Sequence, residues 1–265
     1  KFTVGVFSSK IEVAVKTLNK NHMSRDDTIT FLREANVMRK LHHRNIVEMY
    51  GVCTQKEPIM IVMEMAPGGS LLKRVKTKPP LKLEIKRRYV SEILNGMSYL
   101  EEQHIIHRDL AARNVLLDKK DECKISDFGL SIFCALQRKE TKLTKVPVRW
   151  LSPETLTTGV YSKKSDVWSY GVTIWEVYSN GEQPYSHLKN PLEVSSAVTK
   201  KHLRLTPPKD IPDGDAEYMQ LCWTDDAMQR PSFKELKSKY KSLVSTKFLD
   251  KLFHAKGASE NGELF

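Results

Sequence analysis

Hydrophobic and polar positions change their period near residue 66. In "IEVAVKTL" β-branched residues alternate with polar ones, the pattern of a half-buried strand. From Arg25 to Leu41 the spacing turns helical, with Ile29, Leu32, Ala35, Val37, Met38 and Leu41 as the apolar positions. "NIVEMYGVC" and "PIMIVMEM" predict two more strands, and the Pro-Gly-Gly of "APGGS" predicts a turn or hinge. Beyond it the chain reads as mainly helical. "EIKRRYVSEILNGMSYLEEQ" is a long amphipathic helix, and "SDVWSYGVTIWEVYS" is apolar nearly all round, so a buried central helix starting at Ser165 and Asp166. "EYMQLCWTDD" and "SFKELKSKYKSL" supply later helices, and the final stretch, including "AKGASENGELF", lacks periodicity and reads as a loose tail. The expected class is α+β: a strand-rich lobe over 1–65, a hinge at 66–70, a larger helical lobe over 71–245 and a tail at 246–265.

Composition alters this picture little. The 265 residues are 40% hydrophobic and 28% charged, ordinary for a soluble globular chain with a real core. No run of about 18 apolar residues predicts a membrane span, and no signal-peptide pattern opens the chain. Cys53, Cys123, Cys134 and Cys222 are scattered without a C-x-x-C pair, which disfavours disulfide or zinc use and fits a reducing cytosol. The net charge of +11 raises nucleic acid, anionic membrane or acidic substrates as partners. The basic residues are spread along the chain without a nucleic-acid-binding signature, so a solvated basic surface is the plainer expectation.

"IIHRDLAARNVLL", Ile105 to Leu117, is where chemistry enters. Apolar residues flank a histidine, two arginines, an aspartate and an asparagine, and charged groups are rarely buried without a partner or a metal. "HRDLAARN" matches the H-R-D-x-x-x-x-N catalytic loop of protein kinases; "DFG" follows at Asp127 to Gly129, "VAVK" precedes at Val13 to Lys16, and "SPE" stands at Ser152 to Glu154. Nearly the whole chain, to about Leu243, resembles a kinase domain, and the resemblance implies a bilobal protein-kinase fold that binds ATP and Mg2+, with Mn2+ as an alternative metal.

The resemblance also assigns roles. Asp109 would accept the substrate hydroxyl proton, and Asn114 and Asp127 would hold the metal as hard oxygen ligands. Lys16 would reach the nucleotide phosphates and pair with Glu34, which shares a helix face with Met38, the residue that would pack near Phe128. Met63 would stand at the back of the adenine pocket, Glu64 and Met65 would offer backbone groups to the adenine edge, and Ala14 and Leu116 would sandwich the ring. "DLAARN" rather than "DLKPEN", with "KVPVRW" at Lys145 to Trp150, resembles the tyrosine-specific group, in which Arg113 helps frame the site. "GVCTQKEPIMIVMEM" and "KISDFGLS" look most like the Fes/Fer non-receptor kinases, which implies protein substrates with tyrosine, a cytoplasmic location and, through upstream domains, association with the inner face of the plasma membrane. Asp166 would cap its helix and tie down the catalytic loop, while Glu154 and Arg230 would form a buried ion pair.

Two departures shape the alternatives. The glycine-rich phosphate loop is missing before Lys16, with Gly5 left and Phe2 in place of the usual valine. A chain opening at Lys1 reads as a fragment, processed product or trimmed version, the alternative being a loop-less pseudokinase that serves as a scaffold. Retention of Lys16, Glu34, Asp109, Asn114 and Asp127 argues against the scaffold, which needs none of them. Between Asp127 and Glu154 there is no tyrosine; Ser131, Thr141, Thr144 and Ser152 carry the hydroxyls, and Glu140 is the candidate acidic partner for Arg108.

Overall fold

The computed structural model describes residues 2–7, 11–18, 25–128, 131–133 and 147–257. The alternation read in the first 65 residues becomes one antiparallel sheet. Its strands are β1 (Phe2–Phe7), β2 (Ile11–Thr17), β3 (Met49–Cys53) and β4 (Met60–Glu64), in the spatial order β1-β2-β4-β3. In that register Ala14 faces Met63 and Lys16 faces Ile61. Cross-strand partners project from one side of a sheet, so Ala14 and Met63 share a face.

Between β2 and β3 lies α1 (Arg25–Met38). Its buried face is Phe31, Glu34, Ala35, Val37 and Met38, while Ile29 and Leu32 are exposed, contrary to their expected place in the core. The stripe of i, i+3, i+4 and i+7 positions starts at Phe31 and leaves 29 and 32 on the outer side. The helix closes in a tightened turn, with the Lys40 N–H donating to Val37 O at 3.2 Å and the Leu41 N–H to Met38 O at 3.0 Å.

The segment after α1 is stitched to the larger lobe. The Ile125 N–H donates to Asn45 O at 2.9 Å, the Val47 N–H to Ile125 O at 2.9 Å, and Asn45 Nδ2 to Cys123 O at 2.9 Å. Asn45, Ile46 and Val47 are all buried there. The hinge has its own steric requirements. Gly69 holds φ +72°, where a Cβ is strained, and a Cβ on Gly68 would fall 2.8 Å from Leu117 Cβ and 2.9 Å from Leu117 O.

The larger lobe starts with β5 (Gly69–Ser70) and α2 (Leu71–Val75), whose cap is the Ser70 side chain accepting from the Lys73 N–H. Then come α3 (Leu83–Glu102), β6 (Ile105–Ile106), β7 (Val115–Leu117), β8 (Cys123–Ile125) and β9 (Ile132–Phe133). Two small sheets, β5-β7-β8 and β6-β9, carry the catalytic segments on top of the helices. The helices are completed by α4 (Pro153–Thr158), α5 (Lys163–Tyr178), α6 (Pro191–Lys200), α7 (Asp213–Leu221) and α8 (Phe233–Gly257).

Helix α5 is buried along nearly its whole length, as its unbroken apolar character predicts. Its start differs from the expectation. The cap is Ser162, whose side chain accepts from the Ser165 N–H while the Ser165 side chain answers the Ser162 backbone, so Asp166 lies inside the first turn and does not cap it. The chain end differs too, because α8 continues to Gly257 rather than giving way to a loose tail at 246. "TKFLDKLFHAK" offers helix-forming residues with apolar positions at 248, 249, 252 and 253, a period the final polar residues obscure.

Candidate active site

The catalytic segment hangs from apolar residues at both ends. Ile105 and Ile106 of β6 are buried, as are Leu110, Ala111, Ala112 and Val115, and Ala112–Asn114 forms one tight turn between them. This accounts for the polar run between apolar flanks: the flanks fix the loop, Asp109, Arg113 and Asn114 meet through their side chains, and His107 and Arg108 are held inside by partners of their own. Asp166 reaches in from α5, its two carboxylate oxygens accepting the His107 N–H at 2.7 Å and the Arg108 N–H at 2.9 Å. Burial lifts its carboxyl to about 7, against the pull of those two N–H groups. Arg108 holds φ +73° and lays its guanidinium 4.1 Å from the Tyr161 ring centre.

His107 is fully buried. Its Nδ1 accepts the Asp109 N–H at 3.3 Å, which leaves Nε2 as the donor to Ser126 O at 3.1 Å. The ring also meets Phe128 edge-on at 5.1 Å, and burial lowers its pKa to about 4, so it is a neutral brace between Asp109 and the Ser126–Phe128 segment. Asp109 itself receives a hydrogen bond from the Arg113 guanidinium and one from Asn114 Nδ2 at 2.8 Å, which also reaches Asp109 O at 2.7 Å. Burial pushes the Asp109 carboxyl up while Arg113 and Asn114 pull it down.

The third carboxylate arrives from β8. The Ser126 N–H and Oγ both donate to Asn114 O, at 2.9 and 2.8 Å, locking the strand end to the catalytic turn. Asp127 follows at φ +64° with its side chain 51% exposed, directed at the cleft. Across it, Lys16 Nζ lies 2.7 Å from both Glu34 oxygens and 3.6 Å from Asp127 Oδ1. Burial raises the Glu34 pKa and the ammonium lowers it, so the pair is the natural way to keep this inward carboxylate charged. Met38 and Phe128, expected as neighbours of that pair, are both buried in the shared core.

The remaining expected residues line the cleft from two sides. Met63 is buried on β4 beside Ala14 of β2, and Leu116 is half-buried on β7, opposite Lys124 of β8. Met65 is half-buried just past β4. The Glu64 N–H donates to Glu48 O at 2.9 Å and its carboxylate meets Lys124 Nζ at 2.5 Å, so that N–H belongs to the sheet and not to a ligand. Among the described residues no cluster of three or more His, Cys, Asp or Glu side chains could hold a metal by itself. Asp127 and the Asn114 amide oxygen fit a hard cation that brings its other ligands along, as a magnesium nucleotide does.

Of the segment between Asp127 and Glu154, Cys134, Glu140, Thr141 and Thr144 lie outside the described residues. Ser131 is buried with Oγ donating to His107 O at 3.1 Å, and Ser152 is buried with Oγ 2.9 Å from Thr155 Oγ1. Arg149 pins the Val148–Trp150 turn by donating to Pro184 O at 2.9 Å, Tyr185 O at 2.6 Å and Leu188 O at 2.9 Å. Glu154 and Arg230 pair at 2.9 Å as expected. Glu176 was not among the expected site residues; it is a buried carboxylate whose Oε2 accepts both the Ala112 N–H at 2.9 Å and the Trp150 indole N–H at 3.0 Å.

Comparison with known proteins adds an independent line. The family model for protein tyrosine and serine/threonine kinases matches residues 4–240. The avian sarcoma virus (strain PRCII) tyrosine-protein kinase transforming protein Fps is 40% identical over 242 residues, covering 86% of this chain and 44% of that protein. Fer-related kinase 1 of Caenorhabditis elegans is 38% identical over 239 residues, 90% of this chain and 60% of that protein. Tyrosine-protein kinase Fer of Rattus norvegicus is 38% identical over 251 residues, 92% and 29% respectively. The chain thus spans at most 60% of the length of any of these three relatives.

Proposed function

Because the chain belongs to the protein tyrosine and serine/threonine kinase family, we propose that it transfers the terminal phosphate of ATP to tyrosine hydroxyls of protein substrates. The observation that carries this is the convergence on one cleft of the Lys16–Glu34 pair, Asp127 and the Arg113-bound Asp109. Phosphoryl transfer asks a protein mainly for positioning and charge neutralisation.

Asp109 orients the attacking hydroxyl and takes up its proton, and Asn114 and Arg113 fix the carboxylate by hydrogen bonds. Lys16, steadied by Glu34, contributes positive charge where phosphates would lie, and Asp127 with Asn114 would hold the metal. The bound magnesium nucleotide supplies the phosphoryl group and neutralises its charge. Ala14, Met63 and Leu116 give the adenine ring apolar faces, while the Met65 and Glu64 backbone borders its edge. Tyrosine is favoured over serine because Arg113 and Trp150 build an aromatic wall beside Asp109, their guanidinium and ring 4.5 Å apart, suited to a phenol. A reducing, cytoplasmic setting agrees with the free thiols of Cys53, Cys123 and Cys222.

The test is phosphate transfer from Mg-ATP to matched tyrosine, serine and threonine peptides, with Asp109→Asn as control. Transfer to tyrosine alone, lost in the control, is expected. Nucleotide binding without transfer to any peptide would refute the proposal and favour a scaffold.

A further inference from the structure

Helix α5 touches the catalytic loop twice. Asp166, in its first turn, holds the loop entrance at His107 and Arg108. Glu176, ten residues further and about 15 Å along the axis, holds its exit at Ala112. The second contact differs from the first in what else it carries. The same oxygen that accepts the Ala112 N–H also accepts the Trp150 indole N–H, and Trp150 belongs to the Val148–Trp150 turn, not to the loop.

The Trp150 ring then lies 4.5 Å from the Arg113 guanidinium, which donates to Asp109 Oδ1. Arg113 follows Ala112 directly, so its backbone is set by Glu176 and its head group by the ring that Glu176 also sets. A 3 Å hydrogen bond at each arm leaves the guanidinium little room to move away from Asp109. The Trp150 turn has two further anchors, Ser169 Oγ donating to Trp150 O at 2.8 Å and the three Arg149 bonds described above. Those fix the backbone of the turn; among the described residues Glu176 is the one that accepts the indole N–H.

We propose that Glu176 is a positioning residue for the transfer reaction: through Ala112 and Trp150 it fixes the Arg113 guanidinium against Asp109 and so couples the Val148–Trp150 turn to the group that orients the substrate hydroxyl. It rests on the tyrosine-kinase reading above. A displacement of about 1 Å in such a constellation can cost a hundredfold in rate. The nucleotide side of the cleft, built on Lys16, Glu34 and Asp127, shares none of these bonds, so its affinity stays.

The experiment compares wild-type protein with Trp150→Phe, Glu176→Ala and Glu176→Gln, varying Mg-ATP and a tyrosine peptide separately. Trp150→Phe keeps an aromatic face for Arg113 but removes the indole donor. It and Glu176→Ala are expected to lower peptide kcat/KM by about tenfold or more while the ATP KM stays within about twofold. Glu176→Gln, whose amide oxygen can accept both bonds, is expected to recover most of the loss. Wild-type peptide kcat/KM in Trp150→Phe, or equal damage to both substrates' parameters, overturns the proposal, and this variant decides even if Glu176→Ala does not fold. Failure of the wild-type protein to phosphorylate any peptide counts instead against the kinase reading. Hydrogen exchange at the Ala112 amide then reads the latch without turnover: protection lost in Glu176→Gln and Glu176→Ala alike, or retained in a folded Glu176→Ala, overturns it.

Discussion

Replacing Glu154 by Gln strips one charge from a site built around a fully buried cation. Arg230 has 0% side-chain exposure and donates five hydrogen bonds to four acceptor atoms: Glu154 Oε1 at 2.9 Å and Oε2 at 3.2 Å, Lys164 O at 2.6 Å, and Thr224 O twice at 3.1 and 3.2 Å. Breaking a buried pair by removing one partner costs about 3–5 kcal/mol. Glu154 is itself 28% exposed, so water can partly answer the guanidinium, and three bonds to backbone carbonyls remain. The lower end, about 3 kcal/mol, is therefore the expected loss. Arg230→Met should cost about 1 kcal/mol more, because it also leaves the Lys164 and Thr224 carbonyls without a donor. The double variant should cost no more than Arg230→Met alone, a coupling of about 3 kcal/mol. Urea unfolding followed by tryptophan fluorescence measures all three, with Trp168 reporting locally from 5.2 Å. A Glu154→Gln loss below about 1 kcal/mol, or strict additivity in the double variant, would refute the reasoning.

Asp109→Asn should reduce phosphate transfer by about a thousandfold or more with nucleotide affinity nearly unchanged, checked by peptide phosphorylation beside nucleotide titration; a loss of both would move Asp109 from chemistry to folding. Glu34→Gln should raise the ATP KM by about tenfold, since Lys16 then leans toward Asp127, 3.6 Å away; an unchanged KM would show the pair to be dispensable. His107 has a folded pKa of about 4 against an ordinary 6.5, so unfolding takes up a proton between those values. Its contribution is fully present above pH 6.5 and is lost as pH falls toward 4, up to about 3 kcal/mol. Asp166, raised to about 7, tilts the opposite way over the same range, so the comparison must be wild type against His107→Phe. Unfolding midpoints in that variant should fall less between pH 6.5 and 4.5, and parallel curves would reject the assignment.

The candidate site residues were legible because they stand in motifs that resemble those of the kinase family. Asp109 and Asn114 sit five residues apart on one loop, and Glu34 sits one helical turn before Met38, so the pattern is local in the chain. Of the bonds that hold them, Lys16 to Glu34 and Asp166 to the loop were expected from the resemblance, and others were not legible. Glu176 is 64 residues from Ala112, and inside "WSYGVTIWEVYS" it looks like one polar interruption of a buried helix. The same holds for Asp121, which gathers Arg74, Arg88 and Tyr89 around a turn at φ +63°. Ile29 and Leu32 misled because periodicity names a stripe without saying which side the sheet and lower lobe will cover. Asp166 misled for the opposite reason: its type suits a cap, yet Ser162 and Ser165 form the box and free Asp166 for the loop.

Apart from the ion pairs across the cleft, two places among the described residues fasten the small lobe to the large one: the Glu64–Gly69 connection and the stitch of Asn45–Val47 onto Cys123 and Ile125. Two fastenings define an axle. In the order β1-β2-β4-β3, β3 and β4 lie next to that axle and β1 and β2 lie farthest from it. The C-terminal end of α1 leads into that bearing and Asp127 follows directly after Ile125 and Ser126, so both sides of the cleft take their register from one place. Gly96 is what lets the bearing seat: a Cβ there would come 2.7 Å from Ile125 Cδ1 and 2.9 Å from Asn45 O. One methyl group at position 96 would have to displace this stitch, and with it the seating of one lobe on the other.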